Sequence, residues 1–184
     1  MFANDKEFSF SHPAIGFAVT GDLADLLVLV NSAYRGEVSR QGWTTEADLI
    51  SGEQRIDEEG LTQTLLQAES KLLIYRNEAS EIVGTLNLQK KENKLYLGMF
   101  SVHPAMQNTG IGKALLFAAD EWAKYLGCSF IYMSVITVRS ELIDWYKRHG
   151  YKDNGARIPF EEDGVSGKHL RQLEFMILEK EIIN

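Results

Sequence analysis

Cysteine is almost missing from this chain, and the one present, Cys128, can form neither an intramolecular disulfide nor a Cys₂ metal site. The four histidines (His12, His103, His149, His169) are scattered, with no HExxH or paired spacing, so no zinc or other metal is expected. Proline is scarce too, at Pro13, Pro104 and Pro159, and no Pro-, Gly- or Ser-rich tract offers a linker. Nor does any stretch repeat, so the 184 residues are read as a single domain spanning residues 1–184. Long apolar runs are absent; the longest, such as Leu26–Val30 and Ala114–Ala119, are far too short to cross a bilayer. The stretch Met1–Phe10 carries Asp5, Lys6 and Glu7 and lacks the pattern of a secretion signal. Basic residues are outnumbered 26 to 19 and nowhere cluster, which argues against nucleic acid or an anionic membrane as the main partner. A reduced cytoplasm is the expected location.

What is present is an ordinary globular balance, 45% hydrophobic and 24% charged, enough to bury one sizeable core. Ile15–Val19 reads as a first strand, and Asp22 opens an apolar helical stretch that ends near Tyr34-Arg35-Gly36. The next piece, through Gly60, is polar; residues 35–60 hold seven acids against three bases. Leu61, Leu65, Leu66 and Ala68 then space out a short helix. Leu72–Arg76, Glu81–Gln89 and Lys94–Val102 follow at short intervals as an antiparallel meander. Beyond Pro104, Ile111, Leu115, Ala118, Ala119, Trp122 and Leu126 mark the clearest amphipathic helix, closed by Gly127. Ser129–Ile136 is a β run, and a second helix places Leu142, Trp145, Tyr146 and His149 on one face before Gly150. Strands are predicted around Ala156–Phe160 and Gln172–Leu178, with a loop over Glu161–Lys168 between them. The order gives an α/β (α+β) protein: a mixed, mainly antiparallel sheet flanked by helices, with one strand–helix–strand crossover.

The segment that carries chemistry runs from Tyr96 through Pro104 and on to Gln107-Asn108-Thr109-Gly110-Ile111-Gly112-Lys113-Ala114. A strand ends, a glycine-containing loop turns, and a long helix begins. A helix start leaves four N–H groups unpaired and carries roughly half a positive charge. Glycines at 110 and 112 remove side chains that would hold a phosphate away from those donors. The loop is not a Walker sequence, because Ala114 follows Gly-Ile-Gly-Lys and no upstream glycine has the right spacing. Nor is it a dinucleotide fingerprint, because Leu115 stands at the third glycine position. The pattern Gln107-x-x-Gly110-x-Gly112-x-Ala114 after a strand instead resembles the acyl-CoA pyrophosphate loop of the GNAT superfamily of N-acetyltransferases. The element order along most of the chain matches as well.

That resemblance implies a sheet whose fourth and fifth strands splay apart, and acetyl-CoA as co-substrate. It implies a pantetheine arm running along Phe100, Ser101 and Val102 as an added strand would, with pyrophosphate held by residues 107–114, Gln107, Thr109 and Ala114 included. Lys113 is placed to screen phosphate charge, though a solvated lysine reads the same. Tyr146 matches the family's helix tyrosine, whose phenol can hydrogen-bond or protonate the departing thiolate; it equally suits core packing beside Leu142 and Trp145. Arg139 stands where many relatives carry Asn and is read as a phosphate, substrate or solvent contact.

The acceptor is read as an amine on a small molecule or peptide, attacking directly within a ternary complex. A lysine-like amine of pKa ~10.4 is only about 0.04% neutral at pH 7, and an α-amino group near 8 about 10%, so a proton acceptor matters more for the first. Leu95–Val102 contains no carboxylate, so a base must come from elsewhere. Glu37 and Glu46, beside Tyr34, Arg35 and Trp43, are the candidates. With Tyr34 and Trp43 they are read as the acceptor site, Trp43 stacking on a cationic or aromatic acceptor or else packing in the core, and the acidity of the segment favours a cationic acceptor. Cys128, at a strand entry, is not expected to carry acyl groups. A homodimer stays open, as do a CoA-binding sensor without turnover and a transferase of a different acyl chain.

Overall fold

The structure, a computed structural model, describes residues 8–183. The stretch 1–7, with Asp5, Lys6 and Glu7, lies outside the described residues. Strand β1 (Ile15–Phe17) leads through a 3₁₀ turn at Thr20–Asp22 into helix α1 (Leu23–Tyr34). Leu26, Leu29, Val30 and Ala33 bury one stripe of α1 at helical spacing. The polar segment after it holds a four-residue helix α2 (Gly36–Ser39) and a two-residue strand β2 (Ile50–Ser51). Helix α3 (Glu58–Leu66) starts where the Asp57 carboxylate accepts the Gly60 amide at 2.8 Å. The meander is β3 (Ser70–Arg76), β4 (Ile82–Lys91) and β5 (Lys94–Val102). Then come α4 (Ile111–Tyr125), β6 (Phe130–Ile136), α5 (Ser140–Arg148), β7 (Lys152–Pro159), β8 (Lys168–His169) and β9 (Glu174–Glu181).

The main sheet has the order β1-β3-β4-β5-β6-β9-β7, and every neighbouring pair is antiparallel except β5 and β6. Those two are joined by the α4 crossover, which forces them parallel. Both faces of the sheet are covered. Leu72, Ile74 and Ile82 meet Leu26, Leu29 and Leu61 of α1 and α3 on one side. On the other, Leu73, Leu86 and Leu97 pack with Leu115, Ala119 and Trp122 of α4. This double coverage explains why β4 is buried without interruption from Ile82 to Leu88 instead of alternating. Cys128 sits buried in the same core, between α4 and β6.

The expected elements are present, with shifted ends. Strand β7 begins four residues before the predicted Ala156, and β9 runs through Glu181 instead of stopping at Leu178. Every residue of β7 is exposed, so it carries no hydrophobic alternation to read. The pairing of β2 with β8 ties the polar segment to the loop after β7, and strands of two residues leave no periodic trace.

Two irregularities open the sheet. Strands β5 and β6 pair only from Lys94–Phe130 to Tyr96–Tyr132 and then diverge, the splay of the fourth and fifth strands in sheet order. On the other edge of β5 the register slips, because Leu86 alone faces Met99 and Phe100 while Thr85 meets Ser101 and Asn87 meets Gly98. Met99 there has φ +46°, so this is a bulge that bends β5 away from β6.

Helix α4 approaches the sheet closely because β4 has a glycine beneath it: a Cβ on Gly84 would lie 2.8 Å from Ile111 Cγ2 and 3.0 Å from Leu115 Cδ1. Gly84→Val is therefore expected to lower stability by about 1–3 kcal/mol through overpacking, read as a drop in the urea midpoint at unchanged slope.

Candidate active site

The strand-to-helix junction is built from backbone. A 3₁₀ turn at Pro104–Met106 ends β5, Asn108 adopts φ +65°, and Gly110 caps α4 at φ +95°, a left-handed conformation that favours glycine. The first amide bonded in α4 is that of Ala114, which reaches the Gly110 carbonyl at 3.0 Å. Among the described residues, the amides of residues 108–113 have no acceptor. They converge at the positive end of a 15-residue helix, an arrangement complementary to a diphosphate. A Cβ on Gly112 would stand 3.5 Å from the rings of Phe100 and Trp145, so a longer side chain there would occupy the space in front of the amides.

That space is a cleft of about 310 Å³, walled by Phe100 and Val102 of β5, the 108–113 turn, Trp145 and Tyr146 of α5, and Trp43. Lys113 and His149 line it as well and lend it basic side chains. Of the residues read from the loop, Thr109 and Ile111 contribute main chain only, and Ala114, whose amide is already bonded to Gly110, contributes no free donor, a departure from its expected part in holding pyrophosphate. The Thr109 hydroxyl is turned back onto the Met106 carbonyl at 2.6 Å, Ile111 is core, and Ala114 packs against the core. Gln107 departs from its expected role. Its Oε1 accepts the Trp43 amide at 2.8 Å, and its Nε2 donates to Thr44 Oγ1 at 2.7 Å and to the Val102 carbonyl at 3.3 Å. It fastens the 43–44 segment beside the cleft and has no amide proton left over for phosphate. Trp43 accordingly faces Trp145, with ring centroids 6.3 Å apart, and lines this larger cleft.

A second, smaller cavity of about 90 Å³ fills the gap between β5 and β6, and Tyr34, Phe100, Arg139, Leu142 and Tyr146 wall both spaces. The Tyr34 hydroxyl donates to the Phe100 carbonyl at 2.7 Å, and Gln107 already holds that of Val102, so two acceptors on this edge are engaged by the protein. Ser101 is buried, its hydroxyl bonded to the Met99 carbonyl at 3.2 Å. Burial, helped by Glu46, pushes the Tyr34 phenol up to about 12. Burial and then the neighbouring Tyr34 push Tyr146 well above the ordinary tyrosine range, against the pull of Arg139. Tyr146 is buried, and among the described residues its hydroxyl has no hydrogen-bond partner. It lies where the two cavities meet.

The acidic segment is arranged differently from the sequence expectation. The Glu37 side chain is 91% exposed, pairs with Arg40 at 3.2 Å, and borders neither cavity, so it is withdrawn as a base. Asp48 also pairs with Arg40, at 2.8 Å. Glu46 does line the smaller cavity, but its oxygens are taken by Arg35 at 2.6 Å and Arg139 at 3.0 Å. Arg139, which also donates to the Thr44 carbonyl, is thus neither solvated nor aimed at phosphate. Arg35 was missed by sequence reading; it is fully buried and further donates to the Ser166 carbonyl at 3.1 Å. No sequence signal could have shown it, because its partners lie 11 and 131 residues away.

The whole arrangement, a splayed sheet with an amide-lined turn at the head of the crossover helix, defines an acyltransferase architecture. Residues 26–151 match the acetyltransferase (GNAT) family, and the chain belongs to it. An acetyltransferase of Agrobacterium fabrum, Atu2258, is 28% identical over 102 residues, covering 55% of this chain and 70% of its own. Among solved structures, smu.2055 of Streptococcus mutans has a TM-score of 0.70 at 16% identity and covers 92% of this chain and 99% of its own. The PaiA N-acetyltransferase of Thermoplasma acidophilum, solved in complex with coenzyme A, has a TM-score of 0.63 at 18% identity, covering 91% and 97%. Among the described residues no helix is long and apolar enough to span a membrane, and no cluster of His, Cys, Asp or Glu could hold a metal ion.

Gly112→Asp puts a carboxylate in front of the free amides at a position whose Cβ makes only ordinary contacts. Calorimetry is expected to show acetyl-CoA affinity falling about tenfold or more, roughly 1.4 kcal/mol, with the melting temperature little changed.

Proposed function

We propose that this chain transfers an acetyl group from acetyl-CoA to an amine by direct attack in a ternary complex. The observation that supports the reading best is the continuity of two backbone surfaces, the free 108–113 amides and the edge of β5 beyond Tyr96, which is unpaired with β6 and only partly engaged by Tyr34 and Gln107, both leading to Tyr146. The free amides with Lys113 would hold the diphosphate, and the edge of β5 at Phe100 would guide the arm toward the smaller cavity. Acetyl-CoA supplies an activated thioester.

Tyr146 serves as the hydrogen-bond donor at the sulfur as charge develops there. Its burial keeps it protonated at any pH the enzyme meets, and widens the gap by which a phenol already lies above a thiol, ~8.5. Complete proton transfer to the thiolate is therefore uphill, and donation without transfer is the role that fits. On the acceptor side, Glu46 is the lone carboxylate of the two cavity walls, and both its oxygens are held by guanidinium groups. The amine therefore enters already neutral, or loses its proton through water. As the C–N bond forms and the C–S bond breaks, the adduct's remaining extra N–H proton leaves through water and the departing thiolate takes a proton from solvent. Cys128, buried in the core and remote from both walls, supports direct attack over an acyl-enzyme.

Tyr146→Phe is expected to lower kcat about 10- to 100-fold while acetyl-CoA affinity stays within twofold, measured by thiol release and calorimetry. With the natural residue, log kcat/KM should climb with pH at unit slope up to the acceptor's own pKa. No descending limb should appear below about pH 10, because Tyr146 and Tyr34 titrate above the ordinary phenol value of about 10. Stabilisation by CoA without thiol release across a broad amine panel would favour a sensor instead.

A further inference from the structure

The acceptor cavity is richer in positive charge than the sequence around it suggests. Three guanidinium groups meet here: Arg35 and Arg139 hold one carboxylate, Glu46, and Arg55 lines the same cavity. Two of them neutralise it and each other's surroundings: Arg35 at 2.6 Å and Arg139 at 3.0 Å. One nitrogen of the buried Arg35, Nη2, still has no partner. Arg55 lines the cavity and, among the described residues, has no carboxylate within 4.0 Å. Its one side-chain hydrogen bond is a long one, 3.4 Å from Nη1 to the Ser166 hydroxyl. Asp163, which feels the Arg55 charge, is turned into its own loop and accepts the amides of Val165 at 2.9 Å and Ser166 at 2.7 Å, and the Ser166 hydroxyl.

The backbone that carries Arg55 is nevertheless held in place. Asn31 of α1 accepts the amides of Arg55 at 2.6 Å and Ile56 at 3.1 Å, and donates to the Ile56 carbonyl at 3.0 Å. The guanidinium lies over the Tyr34 ring, 5.7 Å from its centroid, while the hydroxyl of that ring reaches the Phe100 carbonyl at 2.7 Å. A single tyrosine therefore spans the distance from the unpaired cation to the edge of β5. A half-buried guanidinium without an anion, lining a cavity, is suited to receive a planar anion.

Resting on the transferase reading above, we infer that the acceptor is a small amine bearing a carboxylate, of the α-amino-acid class, with Arg55 binding that carboxylate. Tyr34 sets the separation between the carboxylate and the reacting amine. Phe160 and Phe175, stacked at 4.2 Å on the same cavity wall, face the remainder of the molecule and favour an apolar side chain. The charge of the site thus opposes that of the surrounding segment, whose six other acids do not line the cavity; two of them, Glu37 and Asp48, pair with Arg40 instead.

The test uses the full chain with acetyl-CoA and matched pairs, each apolar or aromatic amino acid against the amine made by removing its carboxyl group. Thiol release is read for kcat and KM, and calorimetry on the CoA-saturated protein reads acceptor binding directly. The amino acid of at least one pair is expected to have about tenfold or greater advantage in kcat/KM, carried mainly by KM. Arg55→Ala should collapse that advantage to within about twofold, and Arg55→Lys should restore part of it, while acetyl-CoA affinity is unmoved. A preference for the decarboxylated amines, no preference in any pair, or an equal loss for both members on Arg55→Ala overturns the assignment. Carboxylate-dependent binding that needs Arg55 but yields no thiol would sink the transferase reading while leaving the anion site standing.

Discussion

The parting of β5 from β6 after Tyr96 is the constraint from which the rest of the site follows. A parallel pair joined by a crossover helix would ordinarily continue its ladder, and abandoning it strands polar backbone in the middle of a sheet. Here the bulge at Met99 turns β5 outward, and Tyr146 and Leu142 of α5 stand in the opening. Tyr34 and Gln107 satisfy two of the released carbonyls, and the remainder of the edge faces the two cavities. The interruption is local. Strands on either side pair fully, with β3, β4 and β9 in register over most of their length, so the sheet tolerates the gap without losing its core.

The wall of the smaller cavity is held by charge. Arg35 leaves α1, Glu46 sits in the polar segment, Arg139 precedes α5, and Ser166 belongs to the loop after β7. Four stretches far apart in sequence thus meet at one buried ionic centre. Desolvating such groups is costly, and removing one partner typically costs about 3–5 kcal/mol because the others stay buried and unpaired. The yield is geometric: the centre fixes Tyr34 and the β2–β8 pairing against the open edge of the sheet. It also explains why Glu46, although it borders the cavity, is poorly suited to accept a proton.

How much of this could be read in the sequence divides along a physical line. Helix α4 was legible because an amphipathic stripe and a glycine stop are local patterns, and the meander because β3 to β5 are linked by short turns. The turn of free amides was legible because exposed backbone leaves a side-chain trace only as glycine, and Gly110 and Gly112 are that trace. Relations between distant side chains were not. Gln107 was assigned to phosphate from its place in the motif, whereas its partners at residues 43 and 44 could not be seen from position. Glu37 and Glu46 looked equivalent, nine residues apart in one acidic stretch, until the fold turned one to solvent and paired the other with two arginines. Arg55 gave no signal at all, since an arginine is conspicuous only once its lack of a partner is known.

The central claim is that main-chain donors at the head of α4 grip the co-substrate, and amide exchange measures it most directly. Nuclear magnetic resonance exchange rates for residues 108–113 should be fast in the free protein, as befits donors without acceptors, and should slow by about tenfold or more when acetyl-CoA saturates the protein. Exchange in this turn that is unaltered by acetyl-CoA, in a protein that remains folded, would contradict the account.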